Sequence, residues 1–299
     1  IYDIQHFFEI NKVIRKEKPD LLHLHSAKAG ALGRISAKVI GVPCVFTPNA
    51  FSYLSFNGIK RKTFIAIEKY LKKYTELLLA VSDSEAERGI NEINYSEKKV
   101  KVVPNAINPH VEKKTTYKKK GAIGMIGRLT HQKDPVQFVE LASLLKQNGF
   151  KDYKFLLLGA GLHDHLKEQV EAKIDDCNLG TSFEIIGWKP QEYIYEFFER
   201  NDCFILTSKF EGLPFSLLEA MDFGLPCVVT DADGNRDVIT SGKDGYIVHS
   251  LDELYNKTKK LLSDRNHREQ IGKQAIRTIQ QNHNITRSVK MIEDIYENI

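Results

Sequence analysis

Short apolar runs alternate with longer amphipathic stretches along the whole chain, and this alternation constrains the fold more than any other feature. The pattern is typical of βα units, in which buried parallel strands are connected by helices. The predicted strands are residues 21–25, 44–47, 77–81, 100–103, 122–126, 155–158, 183–186, 203–206, 227–230 and 246–248. We therefore predict an α/β protein with two domains, the second of which has enough strands for a complete doubly wound sheet.

A basic segment separates the two sets of strands. Residues 109–120 include five lysines and almost no apolar residue, which is typical of a solvated connector. The final stretch, from residue 267 onward, predicts two helices whose buried faces include Ile279 in the first and Val289 and Ile295 in the second.

Composition narrows the class of protein. The 299 residues are 42% hydrophobic, which is enough to fill two cores, and a net charge of +4 with interspersed signs does not favour a nucleic-acid partner. Four scattered cysteines without a C-x-x-C pair suit reduced thiols in the cytoplasm, and no apolar run approaches the ~20 residues of a membrane span. Residues 60–73 predict a basic amphipathic helix, either an ordinary surface helix or one that rests on an anionic membrane.

Two carboxylates eight residues apart, Glu211 and Glu219, flank a predicted helix start at Pro214. The N–H groups of a helix start attract phosphate, and a neighbouring carboxylate can accept hydrogen bonds from sugar hydroxyls. The segment therefore predicts a site for a sugar nucleotide. The alternative is that Ser216 and Glu219 form a capping box, in which case Glu219 only caps its own helix.

Two cations follow the first strand of the second set. Arg128 and Lys133 could stabilise the charge that develops on a departing diphosphate, or they could be ordinary surface cations. Gly159 and Gly161 follow the next strand, at the kind of turn where the backbone approaches a nucleotide closely. His23 and His25 share one face of a strand, but no third metal ligand is evident nearby.

These motifs together resemble those of the group 1, family-4-type retaining glycosyltransferases. Residues 211–219, with Thr207-Ser208 before them and Gly224-Leu225-Pro226 after them, resemble the E-x7-E motif of that family. Residues 127–133 resemble its G-R-L-x(n)-K segment, and residues 25–30 resemble the H-S-x-K-A-G segment of bacterial capsule and exopolysaccharide enzymes. One departure is Asn49-Ala50, because many relatives have a histidine–glycine pair at that place.

The resemblance implies the GT-B fold, in which two Rossmann-like doubly wound domains face each other across a cleft. We expect an acceptor-side domain at residues 1–112 that is incomplete at its N-terminus, and a nucleotide-sugar-binding domain at residues 113–282. A C-terminal helix at residues 283–299 would pack back toward the first domain. Residues 231–233 imitate a metal-binding D-x-D motif, but their position in the family suggests an acidic turn instead.

The resemblance also implies an activity and a set of site residues. We expect a metal-independent hexosyltransferase without a cofactor that moves a sugar from a UDP-sugar to a glycan or lipid-linked acceptor, in the cytoplasm or at the inner face of the cytoplasmic membrane. The implied catalytic residues are Glu211, Arg128 and Lys133. The implied substrate-binding residues are Glu219, Gly212, Leu213, Pro214, Phe215, Gly127, Gly159, Gly161, Trp188, Lys189 and Asn49. A nucleotide-sugar epimerase of the same fold and a catalytically incomplete nucleotide-binding fragment remain as alternatives.

Overall fold

The computed structural model describes residues 2–109, 121–161 and 165–299. The chain divides into two compact units. The first comprises Ile1–Asn105, Phe210–Leu213 and Thr286–Ile299, and the second comprises Ala106–Lys209 and Pro214–Ile285. The expected domain boundary at residues 112/113 and nearly all of the basic segment lie outside the described residues.

The first unit contains a parallel sheet whose strands lie side by side in chain order. Its strands are β1 (Leu22–His25), β2 (Cys44–Thr47), β3 (Leu77–Ala80) and β4 (Val100–Val102). Its helices are α1 (Tyr2–Glu17), α2 (Ala27–Ile40), α3 (Gly58–Leu71), α4 (Asp83–Asn91) and most of α12 (Ile285–Tyr296). All four strands predicted from the apolar runs are therefore confirmed to within a residue at either end.

Each face of this sheet carries its own apolar cluster, because successive side chains of a strand point to opposite faces. Phe46 and Leu78 belong to one cluster. Val45, Leu77 and Leu79 belong to the other, which is covered by α12. The helix supplies Met291, Ile292, Ile295 and Tyr296 to that cluster. Val289 was predicted to be buried, but it lies on the outer face of α12 and is 44% exposed.

A buried ion pair connects two helices of the first unit. Arg34 of α2 and Glu68 of α3 are both buried, and their side chains approach to 2.8 Å. The guanidinium also lies over the Phe46 ring at 3.8 Å and donates from Nε to the carbonyl oxygen of Gly30. Burial raises the pKa of Glu68 in spite of the neighbouring guanidinium. Because neither charge reaches water, each depends on the other.

The second unit contains a six-stranded parallel sheet with the order β10-β9-β8-β5-β6-β7. Its strands are β5 (Ala122–Ile126), β6 (Lys154–Ala160), β7 (Phe183–Gly187), β8 (Cys203–Leu206), β9 (Cys227–Thr230) and β10 (Tyr246–Val248). Its helices are α5 (Pro135–Gln147), α6 (Lys167–Asp176), α7 (Gln191–Arg200), α8 (Phe215–Asp222), α9 (Asp233–Val238), α10 (Leu251–Ser263) and α11 (Arg265–Asn282). The chain progresses outward from β5 through β7, returns beside β5 with β8, and then progresses outward on the other side. This is the strand order of a complete doubly wound sheet, as predicted.

The strand order of the second unit determines where a ligand would bind. In open α/β sheets the binding crevice lies outside the carboxyl ends of the strands, at the point where the strand order reverses. Here that point lies between β5 and β8, which are hydrogen-bonded neighbours. The residues that follow these two strands, 127–134 and 207–209, are therefore the first place to look for a site.

Candidate active site

Two glycines bring the ends of β5 and β6 close together. The Gly127 N–H donates to the carbonyl oxygen of Leu158 at 2.9 Å. Gly159 has a φ of +115°, and a Cβ atom added there would lie 3.1 Å from the Gly127 oxygen. A side chain at Gly159 would therefore be strained and crowded. Gly161 follows one residue after β6 and is exposed.

The two predicted cations lie in the loop that connects β5 to α5. Arg128 is exposed, and Lys133 is half-buried. A Cβ atom at Gly127 would lie 3.2 Å from the Cγ and Cδ atoms of Lys133, so the glycine leaves room for the stem of the lysine. Both positive charges are thus presented near the carboxyl end of β5, which is a suitable arrangement for a diphosphate.

Hydrogen bonds and an ion pair hold this cationic loop, residues 128–134, against the residues that follow β8. The Thr207 hydroxyl lies 2.9 Å from the carbonyl oxygens of both Lys133 and Asp134. The Lys209 N–H donates to the Gln132 oxygen at 2.8 Å, and its ammonium pairs with the Asp134 carboxylate at 3.1 Å. From the sequence, Thr207 was recognised only as a residue that flanks the E-x7-E motif. Its contacts with the loop could not be predicted because the partners are more than seventy positions away in the chain.

The start of helix α8 excludes the alternative that Ser216 and Glu219 form a capping box. Its N-cap is Pro214 and its first residue is Phe215, so Ser216 lies inside the helix and cannot form a capping box. Pro214 itself was expected at the first helical position and instead lies one residue earlier, where its φ of −77° still suits the helix start. The half-buried Glu219 accepts a hydrogen bond from the Nε2 of Gln191 at 3.0 Å.

Three other predicted binding residues of the second unit are exposed. Trp188 is 77% exposed and Phe215 is 52% exposed. The Trp188 N–H donates to the carbonyl oxygen of Ala160 at 2.8 Å, which keeps the ends of β6 and β7 in register. The Lys189 ammonium lies 5.3 Å from the centre of the Tyr193 ring. An aromatic side chain of this exposure is available to stack against a flat ligand.

Glu211, Gly212 and Leu213 group with the first unit, although they follow β8 in the chain. Glu211 is 6% exposed. A Cβ atom at Gly212 would lie 2.8 Å from the Ala50 nitrogen and 2.9 Å from the Asn49 carbonyl carbon. The Asn105 side chain donates to the Leu213 oxygen at 2.9 Å. The glycine is therefore required by the close approach of two backbones.

The turn at Asn49 and Ala50, which packs against Gly212, has an uncommon backbone conformation. Asn49 and Ala50 have φ values of +53° and +74°, which are costly for residues other than glycine. The buried Glu85 carboxylate accepts the Ala50 N–H at 2.6 Å and the Val81 N–H at 2.9 Å. Glu85 was not predicted as a site residue, although its spacing from the helix cap Ser82 is a recognisable signal for the start of α4. Asn49 is exposed, and its amide lies 3.4 Å from the His25 Nδ1.

Both ring nitrogens of His23 in β1 have hydrogen-bond partners. Thr47 donates its only hydroxyl hydrogen to the Leu79 oxygen at 2.8 Å, so the His23 Nε2 must donate to Thr47, at 2.8 Å. The His23 Nδ1 therefore accepts from the Tyr296 hydroxyl of α12. Burial, followed by the nearby charge of His25, lowers the pKa of His23 to about 4. His23 is thus a neutral link between α12 and the sheet.

Arg236 of α9 pairs with both carboxylates of the D-x-D-like segment, residues 231–233. Its guanidinium pairs with Asp231 at 2.7 Å and with Asp233 at 3.1 Å. Both carboxylates therefore have a cation partner within five residues of the chain. This geometry agrees with the interpretation of the segment as an acidic turn.

Together, the strand-order reversal and the cations beside it define the second unit as a doubly wound α/β domain with a candidate site for an anionic ligand. Comparison with known proteins identifies the family. The sequence profile described as "Glycosyl transferases group 1" matches residues 107–278, and the profile described as "Glycosyltransferase Family 4" matches residues 1–111. The chain belongs to the group 1 glycosyltransferases. The predictions of the family, of the GT-B fold class and of a hexosyltransferase-type enzyme are confirmed.

Individual relatives agree with this assignment. The UDP-Gal:alpha-D-GlcNAc-diphosphoundecaprenol alpha-1,3-galactosyltransferase of Escherichia coli is 31% identical over 99% of this chain and 80% of its own length. The GalNAc-alpha-(1->4)-GalNAc-alpha-(1->3)-diNAcBac-PP-undecaprenol alpha-1,4-N-acetyl-D-galactosaminyltransferase of Campylobacter jejuni is 29% identical over 97% of this chain and 79% of its own length. Among solved structures, Anabaena HepE in complex with UDP and glucose has a TM-score of 0.86 at 18% identity, over 97% of this chain and 81% of that one.

Proposed function

We propose that this glycosyltransferase moves a hexose from a UDP-sugar to a lipid-linked glycan acceptor, with retention of the anomeric configuration, in bacterial surface polysaccharide synthesis. The observation that carries the proposal is the placement of Arg128 and Lys133 after β5, beside the reversal of strand order. The Escherichia coli relative is named for a UDP-sugar donor and a diphosphoundecaprenol acceptor, and the HepE structure contains UDP.

In this proposal the second unit binds the nucleotide and stabilises its departure. The close approach of Gly127 and Gly159 leaves backbone accessible to the nucleotide, and Glu219 accepts hydrogen bonds from the ribose hydroxyls. When the bond between the anomeric carbon and the phosphate oxygen breaks, Arg128 and Lys133 stabilise the charge on the diphosphate. We propose that these fixed cations supply the positive charge without a metal ion.

The sugar would be held by Glu211 and by the backbone of residues 212–215. We propose a front-face displacement, in which the acceptor oxygen bonds to the anomeric carbon on the side from which the diphosphate leaves. The acceptor proton then passes to the leaving phosphate oxygen, so no separate base is required. Anomeric analysis of the product by NMR tests this mechanism, since an inverted product or a trapped glycosyl–enzyme intermediate would contradict it.

Donor binding is tested by calorimetry with UDP-, GDP- and ADP-sugars, with and without added magnesium. We expect micromolar binding of a UDP-sugar that is independent of magnesium and at least about tenfold weaker after Arg128→Ala or Glu219→Ala. Lys243→Ala removes an exposed charge elsewhere in the second unit and should leave binding unchanged. Preference for another base, or equal binding by all variants, would contradict the assignment. Turnover of the donor to an epimer without an acceptor would instead favour an epimerase.

We further propose that the enzyme works in the cytoplasm, at the inner face of the membrane, and that α3 contacts the lipid. In the described part of the chain, no helix is long and apolar enough to cross a bilayer. The outer face of α3 carries an apolar stripe that includes Ile59, Ile67 and Tyr70, and Ile59 is 84% exposed. The lysines beside this stripe are Lys60, Lys62, Lys69 and Lys73.

This combination suits an anionic membrane surface. Within the described residues, none of these four lysines forms an ion pair, and the one acidic residue of α3, Glu68, is buried against Arg34. Each such lysine contributes about 1 kcal/mol near an anionic leaflet, and the exposed apolar side chains can enter the interface.

Co-sedimentation with vesicles tests the membrane contact. We expect binding to vesicles rich in phosphatidylglycerol at low salt, with loss after the double change Lys62→Glu and Lys69→Glu. Lys243→Glu with Lys257→Glu changes the net charge equally but lies in the second unit, so binding should persist. Equal binding of all three proteins, or no binding by the parent, would contradict the proposal.

A further inference from the structure

The cationic loop carries the two charges assigned to the diphosphate, yet it is neither helix nor strand. Its geometry therefore depends on what holds it. Within the loop, the Lys133 and Asp134 N–H groups both donate to the Thr130 oxygen at 3.1 Å. Asp134 also has a φ of +45°, a left-handed conformation that is costly for a residue other than glycine. Without a restraint, the residue would therefore favour another conformation.

Thr207 is the buried residue that meets the loop at this point. It follows directly after the last residue of β8 and is 1% exposed. Its Oγ1 lies 2.9 Å from the carbonyl oxygens of both Lys133 and Asp134, and 3.6 Å from the Met125 sulfur. A hydroxyl has a single hydrogen, so the two carbonyls share it. This contact joins the two strands at the reversal of strand order through the residue that bears the second cation.

Such a contact matters because charge stabilisation depends on fixed geometry. A displacement of about 1 Å in a charged group can cost about a hundredfold in rate, since the field at the reacting atoms is set before the reaction begins. Lys133 has a flexible stem that Gly127 leaves room for, so its main chain is the part that can be fixed.

We propose that Thr207 is a positioning residue, whose hydroxyl holds the main chain at Lys133 so that the lysine ammonium meets the diphosphate. The inference rests on the proposed function, because it assigns the diphosphate to Lys133. Thr207 itself does not touch the donor. It acts through Lys133, and its removal should therefore have no further effect once the lysine is gone.

The variant Thr207→Val tests this role, because valine keeps the shape and removes the hydroxyl. The readout is the affinity for UDP by calorimetry, measured in the parent protein and in a Lys133→Ala background. We expect Thr207→Val to weaken UDP binding about fivefold to tenfold in the parent, and by less than about twofold in the Lys133→Ala background. Thr207→Ser keeps the hydroxyl and should restore most of the affinity.

Thr230→Val is the matched control. Thr230 also ends a strand of this sheet, and its hydroxyl donates to the Ser208 oxygen at 2.6 Å, but it does not bond to the cationic loop. We expect Thr230→Val to leave UDP affinity within about twofold of the parent. Far-ultraviolet circular dichroism and melting temperature, recorded for every variant, show whether a loss of affinity reflects unfolding.

The outcomes separate the inference from the proposed function. If the parent does not bind UDP, or Lys133→Ala binds it as well as the parent does, the diphosphate assignment is wrong and the inference falls with it. If Lys133→Ala weakens binding but Thr207→Val has the same effect in both backgrounds, or none in either, the donor site stands and the inference alone is overturned. Failure of Thr207→Ser to restore affinity would also overturn it.

Discussion

The link from Tyr296 through His23 to Thr47 should make the attachment of α12 depend on pH. His23 is neutral when α12 is docked, because burial lowers its pKa from the ordinary value of 6.5 to about 4, and opening of the helix exposes the ring and moves the pKa back toward 6.5. Between about pH 4 and pH 6.5, the opened state therefore binds more protons than the closed state does. A group whose pKa is lowered in the closed state stabilises that state fully above about pH 6.5, and the stabilisation is lost as the pH falls toward 4.

The size of the effect follows from the two pKa values. Linkage between 6.5 and about 4 gives at most about 2 kcal/mol of lost stability between neutral pH and about pH 5. The ring is only part-buried, so solvent screening reduces this to about 1 kcal/mol. The protection of α12 amides against hydrogen exchange should therefore fall about fivefold, after correction for the intrinsic exchange rate.

Hydrogen exchange with mass spectrometry measures this for peptides from α12. In His23→Gln the fivefold change should disappear, because glutamine can still hydrogen-bond but does not titrate. His131→Gln removes an exposed histidine of the second unit and should retain the parent's pH dependence. Tyr296→Phe removes the hydroxyl that His23 accepts from, and it should lower α12 protection by about 1 kcal/mol even at neutral pH. An equal change with pH in the parent and in His23→Gln would refute the reasoning.

Two further predictions concern buried contacts of the first unit. Gly212→Ala places a Cβ atom 2.8 Å from the Ala50 nitrogen, a main-chain atom that cannot turn aside, so we expect a loss of about 1–3 kcal/mol in unfolding free energy and a large loss of transfer activity; parent-like urea unfolding and turnover would contradict this. Arg34→Met leaves the buried Glu68 charge without its partner and should cost about 3–5 kcal/mol, while the double variant Arg34→Met, Glu68→Leu should recover most of that loss, so a double variant less stable than the single one would contradict the account.

The strands were predicted well because a strand that is buried on both faces consists of a nearly continuous run of apolar residues. β8, for example, has four buried residues in succession, and its predicted bounds are those of the structure. Helix starts were harder to predict. α3 begins at Gly58, two residues before the predicted start at residue 60, and its N-cap Asn57 forms no side-chain capping hydrogen bond.

The candidate site was predictable where its residues are local in the chain, and less so where they are not. The spacing of Glu211 and Glu219 places one before α8 and the other inside it, as expected. The contacts that hold such residues join distant segments. The Thr207 hydroxyl hydrogen-bonds to the Lys133 carbonyl oxygen across the strand-order reversal. The Glu85 carboxylate accepts the N–H of Ala50, which lies in a turn whose positive φ values no sequence pattern predicts. Packing between segments, which apolar periodicity does not encode, decides these partners.

The covering of the first sheet by α12 has a consequence for how the protein is made. His23 and Tyr296 are 273 positions apart, so the ribosome finishes the first sheet long before the helix that covers one of its faces. During that interval Val45, Leu77 and Leu79 lack their partners. Nascent chains at this stage should therefore bind chaperones that recognise exposed apolar segments, and contacts of such long range should make docking of α12 a late, slow step in refolding.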